Sequence, residues 1–342
     1  MGRQEYRAIV TGLGRMGTYH LRVLHMLPGV EVVAVVDPSA ERRAEALLQY
    51  RELTAYADLD EALEGVAADL VCLAVPVEQL TRLGTMALEA GLAVMVEKPM
   101  APDEDAALEM IRLAESRGLL LSVGHVERFN PAVMLLKEKL AAGEAGEIFQ
   151  IHARRLSPSP DRDSMQGVSL DLATHDLDII RYLTGSEVSR VYAEVAQRSN
   201  QLAEDLICAS LRMDDGSTGL LEVNWMTPAK VRELSVTGER GMFVVNYLTQ
   251  DLFFYENSRA TIQWDALNVV RGTGEGNMVR YALERREPLR VEWEAFLSAL
   301  DDPAQATVTG QDGVAALSTA RAIKESGESH AAVVPRYREL LG

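Results

Sequence analysis

Residues 12–17 read Gly12-Leu13-Gly14-Arg15-Met16-Gly17, a G-x-G-x-x-G turn set between two patterned stretches. The run before it, Tyr6–Thr11, is short and apolar, as a strand is. The stretch after it, Arg15–Met26, repeats apolar residues at helical spacing. A strand that feeds such a turn into a helix is the context that gives these glycines meaning. Gly12 permits the tight turn, Gly14 lets backbone approach a pyrophosphate, and Gly17 lets the helix pack on the strand. The helix N-terminus then offers N–H groups and a partial positive charge to phosphates. Asp37 ends the next apolar run, Val30–Val36. An acid there accepts hydrogen bonds from ribose hydroxyls and repels a 2′-phosphate, so NAD is the expected cofactor rather than NADP.

Outward from the turn, strand and helix signals alternate. Ala40–Gln49, Glu78–Ala90 and Asp103–Ser116 read as helices; Leu70–Val75, Leu92–Val96 and Leu119–Val123 read as strands. This βαβα order predicts an α/β fold, a Rossmann domain with a parallel sheet covered on both faces. The pattern changes near residue 125. Pro131–Ala142 and Val168–Leu183 look helical, Glu147–Leu156 looks like a strand, and Ser157–Gly167 is a polar loop. From Val188 to Tyr255 six strand-like runs follow one another, separated by turns such as Asp214–Gly216 and Glu239–Gly241. They predict an α+β domain with a large, mostly antiparallel sheet built from successive hairpins. Thr273–Asn277 reads as a flexible loop, and Val291–Leu300 and Asp312–Ser326 as closing helices. The expected domains are 1–124, which binds NAD, and 125–342, which binds substrate and oligomerises, with the final helix able to pack back on the first.

Composition narrows the class of partner. The 342 residues carry a net charge of −17, spread as −8 over residues 1–124 and −9 over the rest. A field of that sign repels nucleic acid and anionic membrane surfaces. Cys72 and Cys208 imply neither a disulfide framework nor a zinc site, and no run is long enough to span a bilayer. A cytoplasmic location is expected, since the N-terminal stretch lacks the apolar core of a signal peptide.

Of 34 basic residues only five are lysine, and one of these is Lys98 in Glu97-Lys98-Pro99-Met100, directly after an apolar strand. In an open α/β sheet that position faces the ligand crevice. A lysine there supplies a compact ammonium with a tunable pKa, which arginine cannot. Asp171 and His175 stand four apart on a predicted helix and so share a face, where a carboxylate can orient an imidazole. The His175–Asp178 segment lacks the companion ligands a metal site needs, so no metal is expected.

These motifs in this order, GLGRMG with Asp37, Glu97-Lys98-Pro99, and Asp171-x-x-x-His175, resemble the glucose–fructose oxidoreductase / inositol dehydrogenase / MocA family along almost the whole chain. The resemblance implies Lys98, Asp171 and His175 as the catalytic set. It also implies a cis Lys98–Pro99 peptide, and a homodimer or homotetramer formed through the C-terminal sheet. Gly12, Leu13, Gly14, Arg15, Met16, Gly17, Asp37, Glu97 and Lys98 would line the cofactor. Oxidising a sugar alcohol needs a base for the hydroxyl proton and a nicotinamide for the hydride. His175 suits the first need and Lys98 can stabilise alkoxide character, although at this level the two roles are interchangeable. A non-catalytic NAD-binding regulator is the alternative from another class; such a chain is expected to have lost the lysine or the histidine.

Gly124–Pro131 (GHVERFNP), the stretch Asn224–Arg232 and Val236–Glu239 with Asn246–Gln250 resemble the subgroup that acts on UDP-N-acetylglucosamine at C3. A nucleotide-sugar site needs cations for a diphosphate and flat groups for rings. The candidates are Arg128, Asn130, Arg154, Arg155, Arg162, Trp225, Lys230 and Arg232. Lys230 and Arg232, two apart on one strand face, could clamp phosphate. Core and ion-pair roles remain open for Trp225 and Arg232. An inositol or simple-sugar dehydrogenase is the rival substrate class. His125 is placed after a strand with a structural or a cofactor-side role, and His20 and His25 on the first helix receive no chemistry.

Overall fold

The computed structural model describes residues 5–159, 167–199, 202–257 and 275–340. The chain divides into two compact units. The first runs to Val126 and takes in Glu287–Ser318; the second comprises Glu127–Arg286 and Thr319–Arg338. A late stretch of the chain, Glu287–Ser318, thus belongs with the first unit.

The first unit holds a six-stranded parallel sheet, β1 (Tyr6–Thr11), β2 (Val30–Val36), β3 (Thr54–Tyr56), β4 (Leu70–Leu73), β5 (Ala93–Val96) and β6 (Leu121–Val123), in the order β3-β2-β1-β4-β5-β6. β4 and β5 are buried along their whole length, as a sheet covered on both faces requires. The crossover helices are α1 (Arg15–Met26), α2 (Ala40–Gln49), α3 (Leu59–Gly65), α4 (Val77–Glu89) and α5 (Glu104–Arg117). Their ends follow local chemistry. Asp103 caps α5 by accepting from the Ala106 N–H, and Gly118 closes it with φ +63°. The strand order reverses between β1 and β4, which is where such sheets open a crevice at their carboxyl ends.

The helix Pro288–Asp301, α8, belongs to this unit through its apolar stripe. Leu289, Trp293, Phe296 and Leu297 join Leu21, Leu24, Val32 and Cys72 in one core. That stripe is the physical reason the first unit extends beyond residue 126.

The second unit is an eight-stranded sheet: β7 (Ile148–Leu156), β8 (Val188–Ala196), β9 (Leu206–Met213), β10 (Thr218–Asn224), β11 (Val231–Gly238), β12 (Gly241–Asn246), β13 (Asp251–Asn257) and β14 (Glu275–Arg280). Its order is β14-β13-β12-β11-β7-β10-β9-β8. Seven of these strands form two runs of consecutive antiparallel neighbours. β7 separates the runs, antiparallel to β11 and parallel to β10, so the expected unbroken series of hairpins is corrected at its centre. β14 occupies part of the segment expected as a loop over Thr273–Asn277; residues 273–274 lie outside the described residues.

Burial alternates along β11, as a half-covered sheet requires. One face packs on α6 (Pro131–Ala141) and α7 (Thr174–Thr184) through Val133, Leu136, Leu177 and Ile180. Five residues of π-helix, Ser169–Ala173, precede α7. The last long helix, α9 (Gly310–Ser329), contributes Ala320 and Ile323 to this core, and a short α10 (Tyr337–Leu340) follows. Among the described residues no helix is long and apolar enough to cross a membrane.

Candidate functional site

The glycine turn is built as its sequence demands. Gly12 has φ +89°, and a Cβ there would lie 2.3 Å from the Ala74 carbonyl oxygen. A Cβ on Gly17 would lie 1.6 Å from the Gly12 oxygen, so the turn and α1 close directly on each other. Gly14 differs: a Cβ there would meet nothing within 4 Å. That open space fits a bulky group brought against the backbone. Gly14 also caps α1 without a side-chain acceptor, and the first turn holds no acid, so the N-terminal partial charge is not neutralised locally.

Asp37 is 2% exposed and locked to this turn. Its Oδ2 accepts from the Leu13 N–H at 2.7 Å and its Oδ1 from the Ser39 N–H at 2.8 Å. Two backbone donors fix the carboxylate's plane while leaving lone pairs for ribose hydroxyls. Arg43 supports the same residue from α2, donating to the Asp37 carbonyl at 2.6 Å. The residues present therefore fit a dinucleotide.

On the other side of the switch point, Glu97 and Lys98 follow β5, both half-buried, and the Lys98–Pro99 peptide is cis. Glu97 Oε2 accepts the Lys98 N–H at 3.1 Å, and Oε1 pairs with His20 Nε2 at 2.9 Å. Burial pushes the Glu97 pKa up, but the His20 hydrogen bond and the charge of Lys98 outweigh it and hold the carboxyl below its ordinary range. His20, to which the sequence gives no chemistry, is fully buried at the centre of this arrangement. One signal was available: Gly17, His20, Leu21 and Leu24 form a single buried stripe of α1. His125 is likewise buried, at 2% exposure, just after β6.

In the second unit, Asp171 lies in the π-helical turn and His175 in the first turn of α7, both half-buried. The next buried positions of α7, Asp176 and Asp178, serve another purpose. Asp176 accepts both Arg155 Nε (2.7 Å) and one of its terminal nitrogens (2.9 Å), and Glu127 takes the other at 3.0 Å. Asp178 pairs in the same two-pronged way with Arg128, whose guanidinium also lies 4.8 Å from the centre of the Tyr182 ring.

Several expected substrate contacts are thereby given structural work. Arg128 and Arg155 are buried and neutralised. Arg154, one residue along β7, points to the opposite face, where it bridges Glu222 and Glu233. Asn130 is the N-cap of α6, accepting from Ala132 and donating to the Tyr247 carbonyl. Trp225 is a core residue at 4% exposure. Lys230 is exposed and precedes the first residue of β11, so the expected pairing with Arg232 on one strand face is not formed. Arg162 lies outside the described residues.

Arg232 remains. It is 8% exposed, and it donates to the carbonyls of Leu156 at 2.6 Å and Val231 at 2.8 Å. Among the described residues no carboxylate forms an ion pair with it. Burial, then the neighbouring Arg155, draw its pKa down to about 10, partly offset by the fields of Asp176, Glu127 and Asp171. At neutral pH it is thus a cation that burial and Arg155 both disfavour, within the field of Asp171. Tyr247, opposite Arg232 at the start of the next strand connection, has a buried hydroxyl without a hydrogen-bond partner among the described residues.

A Rossmann unit with this turn, this acid and Glu97-Lys98-Pro99, followed by a unit built on a mostly antiparallel sheet, defines a class of two-part NAD-dependent oxidoreductases. The chain belongs to the GFO/IDH/MocA family: residues 6–125 match the oxidoreductase family's NAD-binding Rossmann fold and residues 133–244 its C-terminal domain. It is accordingly an NAD-dependent oxidoreductase. Among its relatives is a UDP-N-acetylglucosamine 3-dehydrogenase of Acidithiobacillus ferrooxidans, 28% identical over 294 residues, or 86% of this chain and 88% of that one. An inositol 2-dehydrogenase of Corynebacterium glutamicum is 29% identical over 227 residues, 65% of this chain and 67% of that one. A solved structure of the A. ferrooxidans UDP-N-acetylglucosamine 3-dehydrogenase superposes with a TM-score of 0.84 at 25% identity, covering 95% of this chain and 98% of that one.

Proposed function

We propose that the chain oxidises a secondary alcohol of a sugar that carries an anionic group, with C3 of UDP-N-acetylglucosamine as the preferred site. The observation that carries this choice is Arg232, a buried guanidinium with no carboxylate partner among the described residues. A neutral inositol gives such a cation nothing to pair with. A diphosphate supplies an acceptor for its remaining donors. The longer match to the UDP-N-acetylglucosamine dehydrogenase supports the same choice.

In the reaction the substrate O–H loses its proton and the adjacent C–H leaves as hydride, so the alcohol becomes a ketone. NAD+, when bound, accepts that hydride. His175 takes the hydroxyl proton, Lys98 stabilises the developing alkoxide with its ammonium, and Asp171 orients the base or the sugar. The family resemblance points to these three, and the half-buried setting of each suits a group that meets substrate. We further propose assembly as a homodimer or homotetramer through the sheet face opposite α6 and α7. That face exposes Phe149 on β7 and Tyr192 on β8.

Inhibition by UDP tests this function. UDP is expected to compete with substrate, and indifference to UDP would contradict it.

A further inference from the structure

One buried histidine has no part in the chemistry above. His20 of α1 has a partner at each ring nitrogen, with the Cys72 thiol of β4 beside it as a further hydrogen-bond partner. The Trp293 indole N–H of α8 donates to His20 Nδ1 at 2.9 Å, and His20 Nε2 faces Glu97 Oε1 at 2.9 Å. An indole nitrogen can only donate. Nδ1 must therefore accept, the imidazole carries its proton on Nε2, and that proton points at the Glu97 carboxylate. The rings of His20 and Trp293 meet edge-on with centroids 5.7 Å apart, which fixes the imidazole plane. Gly124, at the end of β6, completes the enclosure. A Cβ there would lie 3.2 Å from Glu97 Cδ, so only glycine leaves the carboxylate this place without displacing it.

We propose that His20 is a positioning residue: held by Trp293, it keeps Glu97 oriented, and Glu97, through its hydrogen bond from the Lys98 N–H, keeps Lys98 placed for its work on the substrate oxygen. The inference rests on the reading of Lys98 given above. A buried carboxylate with one donor fewer takes up a proton more readily, because burial then acts with less opposition. A protonated Glu97 would also hold the Lys98 N–H less firmly. The titratable groups acting on the pair are Cys72 from β4 and Lys98 from the following turn. α8 brings the uncharged indole, and β6 brings a glycine.

The test uses the full-length protein with His20→Gln, which keeps an amide N–H for Glu97, and His20→Leu, which does not. Glu97 is followed directly as the carboxyl 13C resonance that disappears in Glu97→Gln. Its titration midpoint is expected to rise by about one pH unit in His20→Leu and to stay near wild type in His20→Gln. At neutral pH Glu97 stays ionised in both variants, so kcat should fall only through lost orientation, about threefold in His20→Leu and less in His20→Gln, with NADH affinity changed less than twofold. If His20→Leu does not fold, Glu97→Gln serves, since removing the anion should lower kcat at neutral pH about tenfold; an unchanged kcat would overturn the proposal. A Glu97 resonance that titrates alike in wild type and His20→Leu overturns it whatever Lys98 does. A shifted resonance together with a fully active Lys98→Ala overturns the reading of Lys98 instead and leaves the His20–Glu97 pairing standing.

Discussion

Arg155 on β7 and Arg232 on β11 are paired directly in register, yet the carboxylates of Asp176 and Glu127 both hydrogen-bond to Arg155. Like charges opposite each other on neighbouring strands disfavour folding, and the acids that hold Arg155 only partly offset its field at Arg232. Such an arrangement persists where the uncompensated charge has a use, as stability is commonly spent at functional sites.

The two arginines should therefore respond in opposite ways to the same substitution. Arg155→Met strands two carboxylates in the interior and is expected to lower stability by about 3–5 kcal/mol. Arg232→Met removes a disfavoured cation and should melt no lower than wild type, while UDP binding weakens about 10–100-fold through the loss of a charge-assisted contact. Thermal melts and calorimetric titration with UDP check both statements. The sign with pH follows from the same group. Its cationic form is the one that binds an anion, so UDP affinity should fall as pH rises through about 10.

Much of the fold is legible in the sequence where a single period runs between clear punctuation. β1, α1, β2 and α2 fall on the expected residues for that reason. β3 and α3 escape the sequence pattern because three strand residues and seven helical ones carry too little period. A capping signal was nonetheless present, since Asp58 accepts from the Glu61 N–H. The place of β7 between β11 and β10 was not legible, because strand order is set by long-range pairing that leaves no local mark. The π-helical turn holding Asp171 was hidden by apolar spacing that a helix of either pitch satisfies. The glycine turn, and the place of Asp37 beside it, could be read from motif and context. Which arginine lacks a carboxylate partner among the described residues could not be read, since Arg128, Arg155 and Arg232 differ only in whether an acid from a distant element reaches them.

Gly14 and Gly17 should separate binding from folding. Gly17→Ala places a methyl group 1.6 Å from the Gly12 oxygen, so the turn or α1 must shift and the protein is expected to melt earlier. Gly14→Ala meets open space, so its melting should match wild type while NADH affinity falls, as the methyl group occupies room meant for phosphate. Equal effects of the two substitutions on melting would contradict the assignment of that space.

Asp37→Ser tests the cofactor choice. The shorter side chain loses the Leu13 and Ser39 hydrogen bonds as well as the charge. Activity with NAD is expected to fall about tenfold, while the ratio of kcat/KM for NADP over NAD rises. An unchanged ratio would undercut the ribose role of the carboxylate.

Lys98→Ala is expected to lower kcat by at least about 10²-fold, because the alkoxide loses its cation, while NADH still binds. Stopped-flow NADH binding and steady-state turnover on one preparation separate the two effects.

The most direct test of the central claim is a comparison of kcat/KM for UDP-N-acetylglucosamine and myo-inositol in wild type and Arg232→Met, read as NADH formation with the keto product trapped. The nucleotide sugar should be strongly preferred by the wild type, and the substitution should remove most of that preference by weakening the nucleotide sugar alone. A wild type that prefers myo-inositol, or a preference for the nucleotide sugar that survives the loss of Arg232, would contradict it.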